Sequence, residues 1–215
     1  MKYELLIFDL DGTILNTLED LADSVNYVLK ENNMPIRTIS EVKNFVGNGI
    51  HKLIERAVPE NTQTGVVEKI YEEFKVYYGI HCADKTKPYD GVKELLLELK
   101  KAGFKIAVVS NKADFAVQEL CNKYFYNLFD DVVGEKEGVR RKPEPDSVNA
   151  VLHTLHIEKE KAVYIGDSEV DIQTAKNAGM EEIAVAWGFR EEEFLKRNGA
   201  KTVVYNPCEI KDKVL

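Results

Sequence analysis

The chain has 215 residues, and its 37 aspartate and glutamate residues outnumber its 29 lysine and arginine residues to give a formal net charge of -8. This length suits one large domain, or one domain with a smaller insertion, and the acidic balance argues against a protein that binds nucleic acid through its phosphates. The N-terminal apolar run is too short for a signal-peptide core and no later run could span a bilayer, so neither export nor a membrane partner is expected. Cys82, Cys121 and Cys208 lack metal-ligand spacing and are expected to be reduced thiols, which indicates the cytoplasm.

Short apolar runs rich in β-branched residues recur along the chain and predict buried strands. They cover Leu5 to Phe8, Lys105 to Ser110, Asp131 to Val133, Ala162 to Ile165, Ile183 to Ala186 and Thr202 to Val204. Helical spacing of apolar residues separates several of them, from Val92 to Leu99 and from Ile172 to Ala178, and a glycine follows each helix. This alternation predicts an α/β fold with a doubly wound parallel sheet, whose site lies at the carboxyl ends of the strands.

The first predicted strand ends in two carboxylates, in the stretch LIFDLDGT from Leu6 to Thr13. Asp9 and Asp11 are two residues apart, so in an extended chain their side chains leave on the same side. Two like charges held together need a nearby cation if both are to stay ionised. Gly12 then gives the backbone the freedom to turn away from the strand end. The pattern predicts a functional pair of aspartates, and a capped strand end with solvated side chains is the alternative.

Residues 15–82 break the alternation, because they carry amphipathic helical patterns and no convincing strand. One apolar stripe runs from Ile50 to Val58, and a second runs from Val66 to Tyr78 and is ended by Gly79. We predict that this region is a helical cap domain inserted into a core domain of residues 1–14 and 83–215. Its entry point beside the two aspartates favours a lid over a plain helical insert.

A glycine-rich turn precedes the first of these cap helices. The backbone N–H groups of Gly47, Asn48 and Gly49 could contact a small anionic substrate as a lid closes. An ordinary glycine turn at the start of a helix explains the same residues equally well.

Two later segments offer groups that suit a phosphoryl oxygen. Ser110 and Asn111 end a predicted strand with a hydroxyl and an amide, although both residue types also cap helices. Lys142 lies in the stretch RRKPEP, where two prolines stiffen the loop and the lysine can act as a fixed point charge. A solvated charged surface is the alternative for this stretch.

The stretch GDSEVD, from Gly166 to Asp171, ends another predicted strand in an acidic cluster. The spacing of its carboxylates suits a divalent ion bound by hard oxygen ligands. Mg²⁺ is the natural candidate, because it binds through a few carboxylates and keeps waters and substrate oxygens as its other ligands.

In order, these segments resemble the four signature loops of the haloacid dehalogenase-like (HAD) hydrolase superfamily. The matching residues are DLDGT from Asp9 to Thr13, Ser110 after a hydrophobic strand, Lys142 in RKPEP, and GDSEVD from Gly166 to Asp171. Three further stretches, PYDGV from Pro88, AWGFR from Ala186 and FVGNG from Phe45, resemble the phosphoglycolate phosphatase branch. Asn16 and Thr17 depart from the family, since many relatives carry Asp-Ser there. The resemblance implies a Rossmann-like α/β core with an inserted α-helical cap domain.

The resemblance also implies a magnesium-dependent phosphatase that hydrolyses a small phosphorylated metabolite through an aspartyl-phosphate. Asp9 would be the nucleophile, and Asp11 would act as general acid and then as general base. Asp9, the backbone carbonyl of Asp11 and Asp167 would hold Mg²⁺. The residues expected to act around them are Ser110 and Lys142 on the phosphoryl oxygens, Asp171 in the second layer of contacts, and Gly12, Thr13, Asn111, Gly47, Asn48 and Gly49 as substrate contacts.

Other functions share parts of this pattern. A β-phosphoglucomutase-like phosphosugar mutase carries the same four loops and a helical cap, and a pyrophosphatase or nucleotidase would keep the same catalytic residues. A signalling receiver domain also combines acidic strand ends with Ser or Thr and Lys, but its phospho-accepting aspartate ends a middle strand, where this chain has Ser110. The sequence predicts neither the physiological substrate nor the oligomeric state.

Overall fold

The computed structural model describes residues 2–215, and the chain divides into two compact units. The core unit comprises Met1–Leu15 and Pro88–Leu215, and the helical unit comprises Asn16–Lys87. The sequence predicts an inserted domain of residues 15–82. The helical unit of the structure covers residues 16–87.

Helices dominate the first part of the chain, whereas strands and helices alternate over most of the second part. The first part holds β1 (Leu5–Phe8), β2 (Leu15–Asn16), α1 (Leu18–Glu31), α2 (Ile39–Phe45), α3 (Gly49–Ala57), α4 (Thr64–His81) and β3 (Lys87–Pro88). The second part holds α5 (Val92–Lys101), β4 (Lys105–Ala113), α6 (Asp114–Phe125), β5 (Asp131–Glu135), α7 (Asp146–Leu155), a 3₁₀ turn (Lys159–Lys161), β6 (Ala162–Gly166), α8 (Glu169–Ala178), β7 (Glu181–Val185), α9 (Glu192–Arg197), β8 (Val203–Val204) and α10 (Pro207–Val214).

The core unit is built on a six-stranded sheet in the order β5-β4-β1-β6-β7-β8. Its strands are parallel, and Phe8 at the end of β1 lies opposite Val108 on one side and Ile165 on the other. Counted by appearance along the chain, the strands stand in the order 3-2-1-4-5-6 of a doubly wound sheet, which confirms the predicted fold class. The carboxyl end of β1 therefore lies between those of β4 and β6, at the point where the strand order reverses.

The central strand of the sheet is fully buried, as its uninterrupted apolar sequence requires. All four residues of β1 are inaccessible to solvent. Leu5 and Ile7 pack with residues of α7 and α8, including Val148 and Ala175, on one face. A buried central strand of this kind holds the residue that follows it, Asp9, in a fixed place.

The strand that was predicted to end at Ser110 continues to Ala113. The polar residues Ser110, Asn111 and Lys112 suggest a strand end, but all three are buried. Their polar groups have partners inside the core unit, so the strand can carry them without exposing them to water. The pairing of β4 with β5 is irregular over this stretch, between Val109 and Ala113.

Two expectations for the helical unit were wrong. Helix α4 continues through Gly79 to His81, because His81 stacks on Tyr77 at 4.3 Å and contacts Asp84 at 2.8 Å. These contacts offset the cost of about 1 kcal/mol for a glycine inside a helix. A short strand, β2, begins at Leu15, and two residues are too few to show an alternating pattern.

The sequence predicts reduced cysteines and no run that could span a bilayer, and the structure describes both the thiols and the helices. Cys82 and Cys121 are buried, Cys208 is exposed, and all three are free thiols. Within residues 2–215, none of the helices combines the length and the apolar composition that crossing a membrane requires.

Candidate active site

The predicted site residues of the core unit lie near or after the carboxyl ends of four neighbouring strands. Asp9 and Asp11 follow β1, Ser110 lies in β4, Lys142 follows β5, and Asp167 follows β6. Carboxyl ends of parallel strands meet at one edge of the sheet, and this edge is where an open α/β fold places its site.

Lys142 lies at the centre of this group and is buried. Its Nζ is 2.8 Å from Asp9 Oδ1 and 2.8 Å from Asp171 Oδ1. It also donates to the Tyr164 hydroxyl at 3.0 Å, and that hydroxyl donates in turn to the backbone oxygen of Val109. The ammonium is thus held between β1, β6 and the start of α8.

Asn111 fixes the backbone of Lys142 from both sides. Its Nδ2 donates to the Lys142 carbonyl at 3.0 Å, and its Oδ1 accepts the Lys142 N–H at 2.8 Å. Both polar atoms of the Asn111 amide are therefore hydrogen-bonded to the Lys142 backbone. A direct contact between Asn111 and a substrate stays a prediction.

The carboxylates of Asp9, Asp167 and Asp171 form an acidic cluster. Each is buried, and each offers one oxygen that lies within 4.8 Å of the others. Asp171 is also the third residue of α8, where its Oδ2 accepts from the N–H and the hydroxyl of Ser168 at 3.1 and 2.6 Å. Asp171 thereby joins the start of a helix to the lysine in the middle of the site.

Two glycines enclose the Asp167 side chain. A Cβ on Gly12 would overlap Asp167 Oδ2, and a Cβ on Gly188 would overlap both Asp167 and the backbone oxygen of Gly12. The next residue, Phe189, donates its N–H to Asp167 Oδ2 at 2.6 Å. This close approach accounts for the glycine in each of the stretches DLDGT and AWGFR.

Burial and crowding set the charge states of the cluster. Burial, together with Asp171 and Asp11, raises the pKa of Asp9 to about 7, against the opposing effect of Lys142. Burial, Asp171 and Asp9 hold the pKa of Asp167 well above its usual range. Burial would lower the pKa of Lys142, but Asp171 and Asp9 outweigh it and hold that pKa well above its usual value. Lys142 therefore stays protonated beside more carboxylates than it can neutralise.

The raised pKa of Asp9 has a consequence for stability. Between its ordinary value of 3.8 and about 7, the folded chain binds more protons at this residue than the unfolded chain. The free energy of unfolding of the metal-free protein is therefore expected to fall as pH rises through this range. Urea unfolding in EDTA at several pH values measures the slope, and Asp9→Asn should make it shallower. An equal slope in the variant would show that Asp9 does not titrate in this way.

The second aspartate of DLDGT has a different partner. The two carboxylate oxygens of Asp11 lie 3.0 and 3.3 Å from Lys112 Nζ. Ser110 is buried, and its Oγ accepts the N–H of Lys112 at 3.3 Å. Thr13 is buried, and its carbonyl accepts from Trp187 Nε1 at 3.0 Å. The two aspartates are thus held by two different lysines.

The predicted substrate contacts of the helical unit form a turn ahead of α3. Asn48 Oδ1 accepts from Arg56, which also donates to the carbonyl of Phe45 at 2.7 Å. Gly47 and Gly49 have φ angles of 120° and 81°, which only glycine adopts readily. A contact of Gly47, Asn48 or Gly49 with substrate stays a prediction.

Sequence reasoning did not find three residues of the site. Lys112 directly follows Ser110 and Asn111, but one lysine after a strand is a weak signal. The sequence indicates Tyr164 only as a strand residue, because its contact with Lys142 depends on which strands are neighbours. Phe189 lies in the stretch AWGFR, whose sequence resembles the family but gives no sign of a contact with Asp167.

Known proteins resemble the chain over most of its length. A model of the haloacid dehalogenase-like hydrolase family matches residues 6–185. The phosphoglycolate phosphatase of Colwellia psychrerythraea is 32% identical over 206 residues, which are 91% of this chain and 90% of that protein. That of Psychrobacter arcticus is 34% identical over 197 residues, 88% of this chain and 86% of that protein. The crystal structure of a putative phosphoglycolate phosphatase from Lactobacillus delbrueckii has a TM-score of 0.95 and 39% identity, and the match covers 100% of this chain and 99% of that one.

The family match and the relatives confirm the resemblance that the four loops indicated. The match covers well over half of the chain, and the relatives are similar to nearly all of it. The chain therefore belongs to the haloacid dehalogenase-like hydrolases, in the phosphoglycolate phosphatase-like branch, and is a phosphatase.

Proposed function

We propose that the chain is a magnesium-dependent phosphatase that releases inorganic phosphate from small phosphorylated metabolites, with 2-phosphoglycolate as the first candidate substrate. One observation carries the proposal: Asp9 lies 2.8 Å from a buried lysine and within a cluster of further carboxylates. An ionised carboxylate is a nucleophile, and the lysine favours the ionised form of Asp9 and offers positive charge for the phosphoryl group that Asp9 attacks.

The donor groups present fit a magnesium ion. Asp9 Oδ1 lies 2.8 Å from Lys142 Nζ but, among residues 2–215, has no further hydrogen-bond donor. The side chains of Asp9 and Asp167 and the backbone carbonyl of Asp11 would hold the ion, and all are hard oxygen donors of the type that Mg²⁺ prefers. When bound, Mg²⁺ supplies positive charge that offsets the repulsion between the Asp9 carboxylate and a phosphate dianion.

In the first step, Asp9 attacks the phosphorus atom and forms an Oδ–P bond as the ester P–O bond breaks. The electron pair of the broken bond goes to the ester oxygen, which takes the proton of Asp11 and leaves as an alcohol. In the second step, water attacks the phosphorus, Asp11 takes a proton from that water, and the Oδ–P bond breaks to release phosphate and restore Asp9. Lys142 and Ser110 hold the phosphoryl oxygens through both steps.

The other residues position these groups or select the substrate. Asp171 and Tyr164 orient the Lys142 ammonium, and Asn111 fixes its backbone. The helical unit would act as a cap, and the turn at Gly47 to Gly49 would supply N–H groups to the anionic end of the substrate. A cytoplasmic location is part of the proposal and agrees with the free thiols.

A screen of phosphate esters tests the proposed function. The purified chain is assayed with Mg²⁺ on 2-phosphoglycolate, pyrophosphate, nucleoside monophosphates and sugar phosphates, and phosphate release is measured. We expect release from 2-phosphoglycolate that is lost when EDTA replaces Mg²⁺. Isomerisation of β-glucose 1-phosphate that outpaces phosphate release would instead select a mutase, and no turnover of any ester would overturn the proposal.

The close packing of Gly188 against Asp167 predicts how a substitution there changes the magnesium dependence of activity. Gly188→Ala introduces a Cβ that overlaps Asp167 and the backbone of Gly12, so Asp167 must move. We expect the Mg²⁺ concentration for half-maximal activity to rise and the unfolding free energy to fall by about 1–3 kcal/mol.

A magnesium titration and thermal unfolding measure the two effects of Gly188→Ala. Gly65→Ala is the matched control, because a Cβ there meets no atom within 4 Å among the described residues, so it should leave the magnesium dependence unchanged and, since Gly65 lies in α4, raise the unfolding free energy by up to about 1 kcal/mol. An unchanged magnesium dependence in Gly188→Ala would argue against Asp167 as a ligand.

A further inference from the structure

Lys112 is a buried lysine near the carboxyl end of β4, and it lies outside the residues that the proposed reaction uses. Its side chain is only 2% exposed. An ammonium group in such a place needs a counterion, because an unpaired buried charge is strongly destabilising. Asp11 is that counterion, with its two oxygens 3.0 and 3.3 Å from Lys112 Nζ.

The contact fixes the orientation of the Asp11 carboxyl group. A donor that reaches both oxygens restrains rotation about the bond that joins the carboxylate to its side chain. The Asp11 side chain is 15% exposed, so part of it stays accessible while the lysine contacts both of its oxygens. Lys112 is itself fixed, since β4 carries its backbone and its N–H donates to Ser110 Oγ.

Each aspartate of DLDGT contacts its own lysine, and the two aspartates would have different functions. Lys142 lies 2.8 Å from Asp9, whose carboxylate would attack phosphorus. Lys112 lies beside Asp11, which would pass a proton to the leaving oxygen. A proton donor that is misplaced by a fraction of an ångström loses much of its effect, because proton transfer requires hydrogen-bond distance.

We propose that Lys112 is a positioning residue for Asp11, which holds the carboxyl group where it protonates the leaving alcohol. The inference rests on the proposed function and on the role of Asp11 within it. In the resting site Asp11 is the carboxylate that pairs with Lys112, and when Asp11 carries its proton with substrate bound, Lys112 donates to the carbonyl oxygen of the carboxyl group and leaves its O–H directed at the ester. When that proton passes to the ester oxygen, which has taken the P–O bonding pair, Asp11 returns to the carboxylate that pairs with Lys112 in a charge-assisted hydrogen bond.

The leaving group of the substrate separates this role from phosphate binding. The alkoxide from 2-phosphoglycolate is strongly basic and needs a proton as it leaves. The p-nitrophenolate from p-nitrophenyl phosphate is weakly basic and leaves without one. A residue that acts through the proton donor affects the first ester alone, whereas a residue that binds the phosphoryl group affects both.

The experiment is a single-turnover measurement of ester cleavage with enzyme in excess, which reports the first step alone. We expect Lys112→Met to slow cleavage of 2-phosphoglycolate about 10- to 100-fold, a part of the roughly 10²- to 10⁴-fold that a general acid contributes. Cleavage of p-nitrophenyl phosphate should be nearly unchanged, which also shows that the variant is folded. Asp11→Asn should give the same pattern with a larger effect, and the double variant should be no slower than Asp11→Asn.

The controls separate failure of this inference from failure of the proposed function. Lys100→Met removes a lysine that pairs with Asp130 at 2.8 Å away from the site, and it should affect neither ester. If Lys112→Met does not fold, Lys112→Gln carries the same comparison. Equal slowing of both esters, or of neither, in the Lys112 variant would overturn the inference alone. Loss of the leaving-group pattern in Asp11→Asn would overturn the role of Asp11 and this inference with it, and a wild-type chain that cleaves neither ester would overturn the proposed function.

Discussion

Asp9→Asn is expected to lower kcat by roughly 10³-fold or more, because the amide oxygen cannot replace the carboxylate as a nucleophile. Asn has almost the same shape as Asp, and Asp9 is buried beside Lys142, so the change removes charge with little change in packing. No aspartyl-phosphate should then form. Steady-state phosphate release measures the loss, and acid quenching after mixing with labelled substrate measures the phosphorylated chain.

The matched control for this prediction is Asp90→Asn. Asp90 lies in the turn before α5, and the same change of charge there should leave kcat unaltered. Hydrolysis at the normal rate in Asp9→Asn would refute the assignment of the nucleophile.

Lys142→Met is expected to have the largest combined effect on stability and activity. The change leaves the buried carboxylates of Asp9 and Asp171 without their ammonium, and breaking such a pair costs about 3–5 kcal/mol of unfolding free energy. The phosphoryl group also loses a fixed positive charge, so kcat/KM should fall about 10²- to 10³-fold. Urea unfolding in EDTA measures the first effect, and steady-state kinetics measure the second.

A double variant separates the two effects of Lys142. Asp9→Asn together with Lys142→Met removes both charges of one contact, so part of the stability should return while activity stays absent. Lys100→Met, which breaks a partly exposed pair with Asp130, should cost about 1 kcal/mol or less. A stability loss in Lys142→Met no greater than in this control would show that Lys142 is not the counterion of the buried carboxylates.

The parts of the site that could be predicted are those that depend on one strand end at a time. Asp9, Asp11 and Asp167 each follow an apolar run, and parallel strands bring such ends together whatever their order. Lys142 could be found for a related reason, since two prolines mark its loop as stiff. The parallel, doubly wound class of the sheet followed from the alternation of strands and helices, because right-handed crossovers leave few arrangements.

The parts that could not be predicted depend on which strands are neighbours. Tyr164 reaches Lys142 and the backbone of Val109 only because β6, β1 and β4 lie side by side. Lys112 and Asn111 have the polar character of a loop, but their partners on other segments let β4 continue to Ala113. Local sequence carries no information about such distant partners.

The dual attachment of Asp171 has a consequence for motion at the site. One oxygen of this carboxylate closes the first turn of α8 on Ser168, and the other holds the Lys142 ammonium. The first turn of a helix is ordinarily among its most easily opened parts, but here opening it would also release the lysine. Fraying of this helix end and release of the Lys142 ammonium are therefore a single event, and the slow exchange of the Ser168 amide hydrogen would report on both.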